Sequence, residues 1–156
     1  MSPLTLEDPM SVPARLTFVT IGSRDVQGLA AFYKKLGFEV VVDAGDMVCF
    51  QLRGALLGIF DLDELGKDAQ SPVNVTQGPG IRGFSLAINV DERDDVDKTI
   101  EAARAAGARI PKEPIDSNLF PGRSAYFADP EDNYWDVVWL PWDNVVSVAV
   151  RRAAGV

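Results

Sequence analysis

The sequence predicts an α+β protein in which one pattern, a strand, a helix and three further strands, occurs twice. Two observations carry this prediction. A strand and a helix that ends in glycine occur near the start of the chain and again near its middle. In the first copy Asp25 precedes Gly37 by 12 residues, and in the second Asp95 precedes Gly107 by the same distance. Such self-similarity indicates an internal structural duplication.

The first copy begins with the strand RLTFVTIGS, in which alternation places Phe18 and Thr20 on one face. The helix after it can be capped by Asp25 or Ser23, and it ends at Gly37, since glycine adopts the left-handed conformation that stops a helix. Short apolar runs then predict three strands, at 38–42, 47–53 and 55–60.

The second copy has the strand GFSLAINV and the helix RDDVDKTIEAARAAGA, whose first turn is acidic, as helix N-termini favour. Its remaining strands are predicted at 108–111, 123–128 and 134–140. The domain organisation that follows is a tail (1–13), one domain (14–142) with modules at about 15–65 and 83–141 and a linker at about 66–82, and a C-terminal tail or short helix (143–156).

Composition excludes several classes of function. The net charge is −8 and the 15 basic residues are dispersed, which argues against binding to nucleic acid. No apolar stretch is long enough to cross a membrane. The chain has no histidine, so it has no histidine-based triad and no imidazole-ligated metal site. A single cysteine, Cys49, is expected to be a buried thiol, and such cysteine usage favours a reducing, cytoplasmic location.

Three segments together resemble the vicinal oxygen chelate superfamily, which includes glyoxalase I, bleomycin-resistance proteins and extradiol dioxygenases. They are LTFVTIGSRDVQGLAAFYKKLGFEV, GFSLAINVDERDDVDKTIEAARAAGA and YFADPEDNYWDVVW. The resemblance covers about residues 15–141. It implies two βαβββ modules whose curved mixed sheets surround a central cavity, and it implies a homodimer.

The resemblance also maps the family's metal positions onto this chain. The first strand of each module and the last strand carry the ligands, which places Phe18, Ser85 and Asp136 where relatives often have His, His and Glu. Asp61 lies near the position of a fourth ligand. Phe18 has no donor atom and a neutral serine is a poor ligand for divalent ions. We therefore expect a member without metal or other cofactor, and no metal-dependent glyoxalase or dioxygenase activity.

The expected ligand-binding residues follow from the same mapping and from strand alternation. They are Phe18, Thr20, Ser85, Phe120, Arg123, Tyr126, Tyr134 and Asp136. Arg123 is expected to face the cavity together with Tyr126, as an anion or carbonyl contact, or to form a surface ion pair. Asp136 is a polar anchor, a general base, or a carboxylate held by Ser85 or Tyr126. Trp135 and Trp139 are expected in the core.

Three functions remain open. The first is the binding of a small apolar or aromatic ligand, as in the sequestration of an antibiotic or metabolite. The second is a lyase, isomerase or hydrolase acting on a small oxygenated metabolite, with Asp136 as base and Arg123 as electrostatic stabiliser. The third is a structural or regulatory module whose cavity is filled by its own side chains, Phe18 among them.

Overall fold

The structure, a computed structural model, describes residues 12–75 and 78–156 and contains two four-stranded mixed sheets. Most of the predicted N-terminal tail, residues 1–11, lies outside the described residues, as do residues 76 and 77 of the predicted linker. None of the helices in the described ranges is long and apolar enough to cross a membrane.

The first module follows the predicted order and then adds a helix. Its elements are β1 (Phe18–Ser23), α1 (Val26–Lys35), β2 (Glu39–Asp43), β3 (Met47–Gln51), β4 (Leu56–Asp61) and α2 (Leu62–Asp68). The strands lie in the order β1-β4-β3-β2, with β1 parallel to β4 and the other pairs antiparallel.

The second module repeats this arrangement, which confirms the predicted duplication. Its elements are β5 (Leu86–Asn89), α3 (Asp95–Ala105), β6 (Arg109–Asp116), β7 (Arg123–Ala128) and β8 (Tyr134–Trp139), followed by α4 (Val145–Ala153). The order β5-β8-β7-β6 matches the first sheet strand for strand, and β5 is parallel to β8 as β1 is to β4.

Elements α2, β5 and β6 differ most from the sequence prediction. Helix α2 begins directly after β4 because Asp61 caps it, its carboxylate accepting from the Glu64 N–H at 3.0 Å. Strand β5 is shorter than predicted, so Ser85 lies just before it. Strand β6 continues past Pro111 to Asp116, since it is an edge strand with two register shifts, where prolines are tolerated.

The hydrophobic cores of the two modules merge into one cluster. Phe127 and Trp135 of the second sheet stack with ring centroids 5.8 Å apart, and Tyr33 of α1 lies 5.9 Å from Trp135. Trp135 is buried and Trp139 packs against the same cluster, as expected. Aromatic burial therefore holds the two modules together.

A buried polar network accompanies this aromatic contact. The Tyr33 hydroxyl donates to the Asp129 carboxylate and accepts from the Trp135 indole N–H at 3.0 Å. Asp129 also accepts from the backbone and side-chain amides of Asn133 and from the Glu131 N–H. Burial raises the pKa of Asp129 above its ordinary value despite these donors. The turn between β7 and β8 is thereby attached to helix α1.

Candidate functional site

One row of side chains crosses the second sheet and contains the acid expected at the site. Strand register aligns Ala87 of β5, Asp136 of β8, Tyr126 of β7 and Lys112 of β6 side by side. Because directly opposite residues share a face, the Asp136, Tyr126 and Lys112 side chains project from the same side of the sheet. This side is opposite the one against which α3 packs.

Asp136 is only partly exposed, and one of its carboxylate oxygens, Oδ1, is buried without a hydrogen-bond partner. Burial raises the pKa of Asp136 above its ordinary value, while the charge of Lys112 and a hydrogen bond with Tyr126 oppose that rise. A carboxylate oxygen without a donor is costly in a protein interior. The site therefore contains an acceptor that no group of the protein pairs.

Tyr126 connects the acid to its neighbours in the row. Burial is the main cause that raises the pKa of the Tyr126 phenol, and the charge of Asp136 adds to this rise, while the Ser85 side chain opposes it. The Lys112 ammonium lies 5.8 Å from the centre of the Tyr126 ring and donates to Ser124 Oγ at 2.7 Å. Lys112 thus presents its positive charge to the aromatic face and to the acid at once.

Tyr134 extends this face toward the start of β8. The ring centres of Tyr134 and Tyr126 lie 6.5 Å apart. The Arg109 guanidinium lies 5.6 Å from the ring centre of Tyr134. Arg109 donates to the Tyr134 hydroxyl at 3.0 Å and to Asp132 at 2.8 Å. The result is a surface of two phenol rings, each with a cation beside it.

Phe18 and Thr20, the remaining strand residues expected at the site, lie on the first sheet. The Phe18 ring lies over Gly58, where a Cβ atom would come within 2.6 Å of the ring. Phe18 is 37% exposed, and Thr20 and Ser85 are also exposed, so the single chain leaves these residues on open faces and not in an enclosed cavity.

The expectation that Arg123 shares a face with Tyr126 is wrong. The two residues are three positions apart on a regular strand, so alternation places them on opposite sides. Arg123 makes a bidentate ion pair with Asp97 of α3, with both N···O distances 2.8 Å, and a second pair with Asp116. These carboxylates raise the pKa of the guanidinium further. Arg123 therefore anchors α3 on the helix side of the sheet.

Two other residues considered from the sequence also lie away from the row. Phe120 is partly buried in the loop between β6 and β7. It lies next to Gly122, and a Cβ atom added to Gly122 would lie 2.3 Å from the Trp139 carbonyl oxygen. This places Phe120 at the opposite end of β8 from Tyr134. Asp61 is occupied as the N-cap of α2.

Lys112 is the residue that the sequence prediction missed. The predicted strand stopped at Pro111, which left Lys112 in a loop, whereas the observed edge strand carries it into register with Tyr126. The residue types from Ile110 to Ile115 do not alternate in polarity, so the sequence carries no local signal that would have extended the strand.

The donor atoms at the family's metal positions do not suit a divalent ion. Phe18 offers none, the Ser85 hydroxyl is neutral, and Asp136 supplies a single carboxylate. Across residues 12–75 and 78–156, no group of three or more Cys, Asp or Glu side chains has metal-binding geometry.

Comparisons with known proteins agree with this fold. The sequence profile of the Glyoxalase/Bleomycin resistance protein/Dioxygenase superfamily matches residues 15–137, and the chain belongs to that superfamily. No curated protein sequence gives a significant match.

Solved structures of relatives have a similar fold. A glyoxalase-related enzyme from Fulvimarina pelagi is 26% identical, with a TM-score of 0.72 over 82% of this chain and 89% of its own. A glyoxalase/bleomycin resistance protein/dioxygenase family enzyme from Burkholderia phytofirmans PsJN is 28% identical, with a TM-score of 0.68 over 81% of this chain and 98% of its own. A lactoylglutathione lyase from Agrobacterium tumefaciens, at 21% identity and a TM-score of 0.63 over 83% and 96%, shares the fold.

Proposed function

We propose that this chain is a metal-independent member of its superfamily that binds a small aromatic or apolar molecule carrying at least one hydrogen-bond donor. The observation that carries the proposal is the cross-strand row, in which Asp136 with its unpaired Oδ1 has Tyr126 as its neighbour and Lys112 one strand further on. A ligand pocket typically combines aromatic surface with a few polar anchors, and this face has both.

The polar groups of the row define the ligand further. Asp136 Oδ1 requires a donor, so a ligand amine, amide N–H or hydroxyl fits there. The Tyr126 and Tyr134 rings offer faces for stacking an aromatic ring. Lys112 lies near the Tyr126 ring and Arg109 near the Tyr134 ring. A planar ligand that stacks on either ring would therefore lie close to a cation that polarises this ring.

The proposal includes a homodimer in which a second copy covers these open faces. Support comes from apolar side chains that one chain leaves exposed on and beside the first sheet: Leu16, Phe18, Val40, Val41 and Val42. Because the two modules have the same strand order, a two-fold axis can bring the first sheet of one copy against the second sheet of the other. Sedimentation equilibrium tests this directly, and a monomer at micromolar concentration would contradict it.

The binding function is tested by screening aromatic compounds with thermal shift and equilibrium titration. A chelator is present throughout. The compounds differ in whether they carry an amine, a hydroxyl or no donor. We expect saturable binding confined to the donor-bearing sets, because Asp136 Oδ1 is the unpaired acceptor. Equal binding of the donor-free set, or binding that appears only when a transition metal is added, would contradict the proposal.

The same row favours a second candidate, an acid–base enzyme of the lyase or isomerase type. A carboxyl with a raised pKa is a stronger base, and the phenol beside it, whose raised pKa keeps it protonated, can donate a hydrogen bond. In that case Asp136 acts as base, and Lys112, not Arg123, supplies positive charge. Turnover of a bound compound that disappears in Asp136→Asn while binding persists would support this candidate over simple binding.

A further inference from the structure

A cleft separate from the proposed ligand face lies at the junction of the two modules, where the end of β1 meets the turn between β7 and β8. It has a volume of about 210 Å³, and its walls include Gly22, Arg24, Leu62, Arg82, Glu131 and Asp132. It contains none of the side chains of the cross-strand row. We propose that this junction cleft binds a small oxyanion, a phosphate or a carboxylate, through the guanidinium groups of Arg24 and Arg82.

The two arginines have hydrogen-bond donors that the protein does not use. Arg82 makes one long hydrogen bond, from Nη1 to Asn133 Oδ1 at 3.4 Å, and its Nε is buried without an acceptor. Within the described ranges, the Arg24 side chain has no ion pair or hydrogen bond, although its backbone N–H donates to Glu131. A guanidinium presents five N–H donors in a fixed plane, which matches the oxygens of phosphate and carboxylate.

The acids in the cleft, in contrast, are already satisfied. Glu131 accepts from the Ser23 hydroxyl through one oxygen and from the Arg24 N–H through the other, at 2.9 Å. Asp132 accepts from Arg109 at 2.8 Å. The charge of Asp132 is compensated by Arg109, whereas the donors to Glu131 are neutral and leave its charge in place. With Arg24 and Arg82 against Glu131, the cleft retains a net positive charge although the whole chain carries −8.

The size of the cleft limits the ligand. Pockets for drug-sized molecules enclose roughly 300–1,000 Å³, and the junction cleft is smaller. An inorganic phosphate or a short carboxylate fits this volume, and two guanidinium groups can bind it from separate directions. The junction cleft is independent of the proposed ligand face, so either can fail without the other.

The probes are inorganic phosphate and acetate, each titrated into the full chain, with the Nε–H signals of the arginines followed by NMR. Sodium chloride at equal ionic strength is the control for screening. We expect saturable shifts of the Arg24 and Arg82 signals with phosphate or acetate and not with chloride. Equal shifts with chloride, or no saturable shift with either oxyanion, would overturn the proposal.

Variants separate the cleft from general surface charge. Arg24→Gln and Arg82→Gln each remove one guanidinium, and Arg53→Gln removes an exposed arginine elsewhere on the surface. We expect affinity to fall on the order of tenfold in each cleft variant, since each loses a charge-assisted hydrogen bond, and to be unchanged in Arg53→Gln. If Arg82→Gln does not fold, the site is tested by Arg24→Gln alone, since Arg24 is exposed and its substitution should not prevent folding. Equal affinity in Arg24→Gln and Arg53→Gln would refute the site.

Discussion

At the scale of single residues, the carboxyl of Asp136 is the one acidic side chain of the described ranges with a buried oxygen that has no partner. One oxygen is buried without a donor, although Lys112 and Tyr126 lie nearby. Neighbouring Val137 and Val138 are buried and apolar. Groups retained at such a cost are concentrated at functional sites, and this is why the proposed function centres on Asp136.

The first prediction concerns the titration of Asp136. Its carboxyl carbon, followed by NMR, should titrate above the ordinary aspartate value of about 4, because burial disfavours the charged form. Since the folded pKa exceeds the unfolded one, ionisation of Asp136 lowers stability as pH rises through the window between them. The Lys112→Gln variant should titrate higher still, because Lys112 lowers the pKa.

Lys98→Gln on α3 is the matched control for that titration. It removes one positive charge from an exposed residue whose recorded ion pair is with Asp95. It should leave the Asp136 midpoint unchanged. A midpoint at or below the ordinary value in the wild type, or equal midpoints in Lys112→Gln and Lys98→Gln, would show that Asp136 is not in the environment described.

The family resemblance and strand alternation grouped Asp136, Tyr126 and Tyr134, which share one face in the structure, with Arg123, which does not. Arg123 was the cation nearest in sequence, yet it lies on the helix side because strand alternation has a period of two. Lys112 acts from the adjacent strand, and only the register of β6 with β7 brings it opposite Tyr126. Pairing between strands depends on the three-dimensional fold, and a local sequence pattern does not encode it.

At the scale of elements, the duplication supplies a natural comparison of helix starts. The Asp25 side chain accepts from the Gly28 N–H at 3.0 Å and caps α1. The N-cap residue of α3 is Asp94, which makes no capping hydrogen bond. The spacing to the helix-ending glycine aligns Asp25 with Asp95 instead, so α3 begins one residue earlier in the repeat than α1 does.

The second prediction uses this difference. Asp25→Ala should lower the free energy of unfolding by about 1 kcal/mol, the usual cost of losing an N-cap. Asp94→Ala, the matched control, should change it by less than about 0.5 kcal/mol, as at an ordinary surface position. Urea denaturation of both variants measures the two costs. Equal losses would mean that Asp25 does not cap α1 in solution.

Elements with strong local signals were predicted well, and those defined by tertiary contacts were not. Helix α1 had a capping aspartate, an apolar stripe and Gly37 at its end, and it lies where expected. Helix α2 is only seven residues long and contains Gly66, so its local signal was weak. Strand β6 contains Pro111 and Pro114, which read as a loop but are permitted at a sheet edge.

At the scale of the whole molecule, one contact region joins the two modules. Tyr33 of α1 packs against Trp135 and hydrogen-bonds both Trp135 and Asp129. Ser23, at the end of β1, donates to Glu131 of the same turn. The relative position of the two sheets, and with it both proposed sites, depends on this region.

The third prediction tests that dependence. Tyr33→Phe keeps the ring but leaves the Asp129 carboxylate short of a donor and the Trp135 N–H without its acceptor. The free energy of unfolding should fall by about 1–3 kcal/mol, the cost of leaving buried polar groups unsatisfied. The control is Tyr134→Phe, which removes a hydroxyl from a partly exposed ring and should cost less than about 0.5 kcal/mol.

Denaturant unfolding followed by Trp fluorescence measures both variants. Equal stability of Tyr33→Phe and the wild type would show that the buried hydrogen-bond network does not stabilise the contact between the two modules.

The central claim, that the Asp136 face binds a donor-bearing aromatic ligand without metal, is tested most directly by calorimetric titration of one such ligand. Wild-type protein, Asp136→Asn and the exposed-site control Asp143→Asn are compared in the presence of chelator. We expect saturable binding by the wild type and the control, and affinity reduced on the order of tenfold or more in Asp136→Asn. Equal affinity in all three proteins, or binding abolished by chelator, would contradict it.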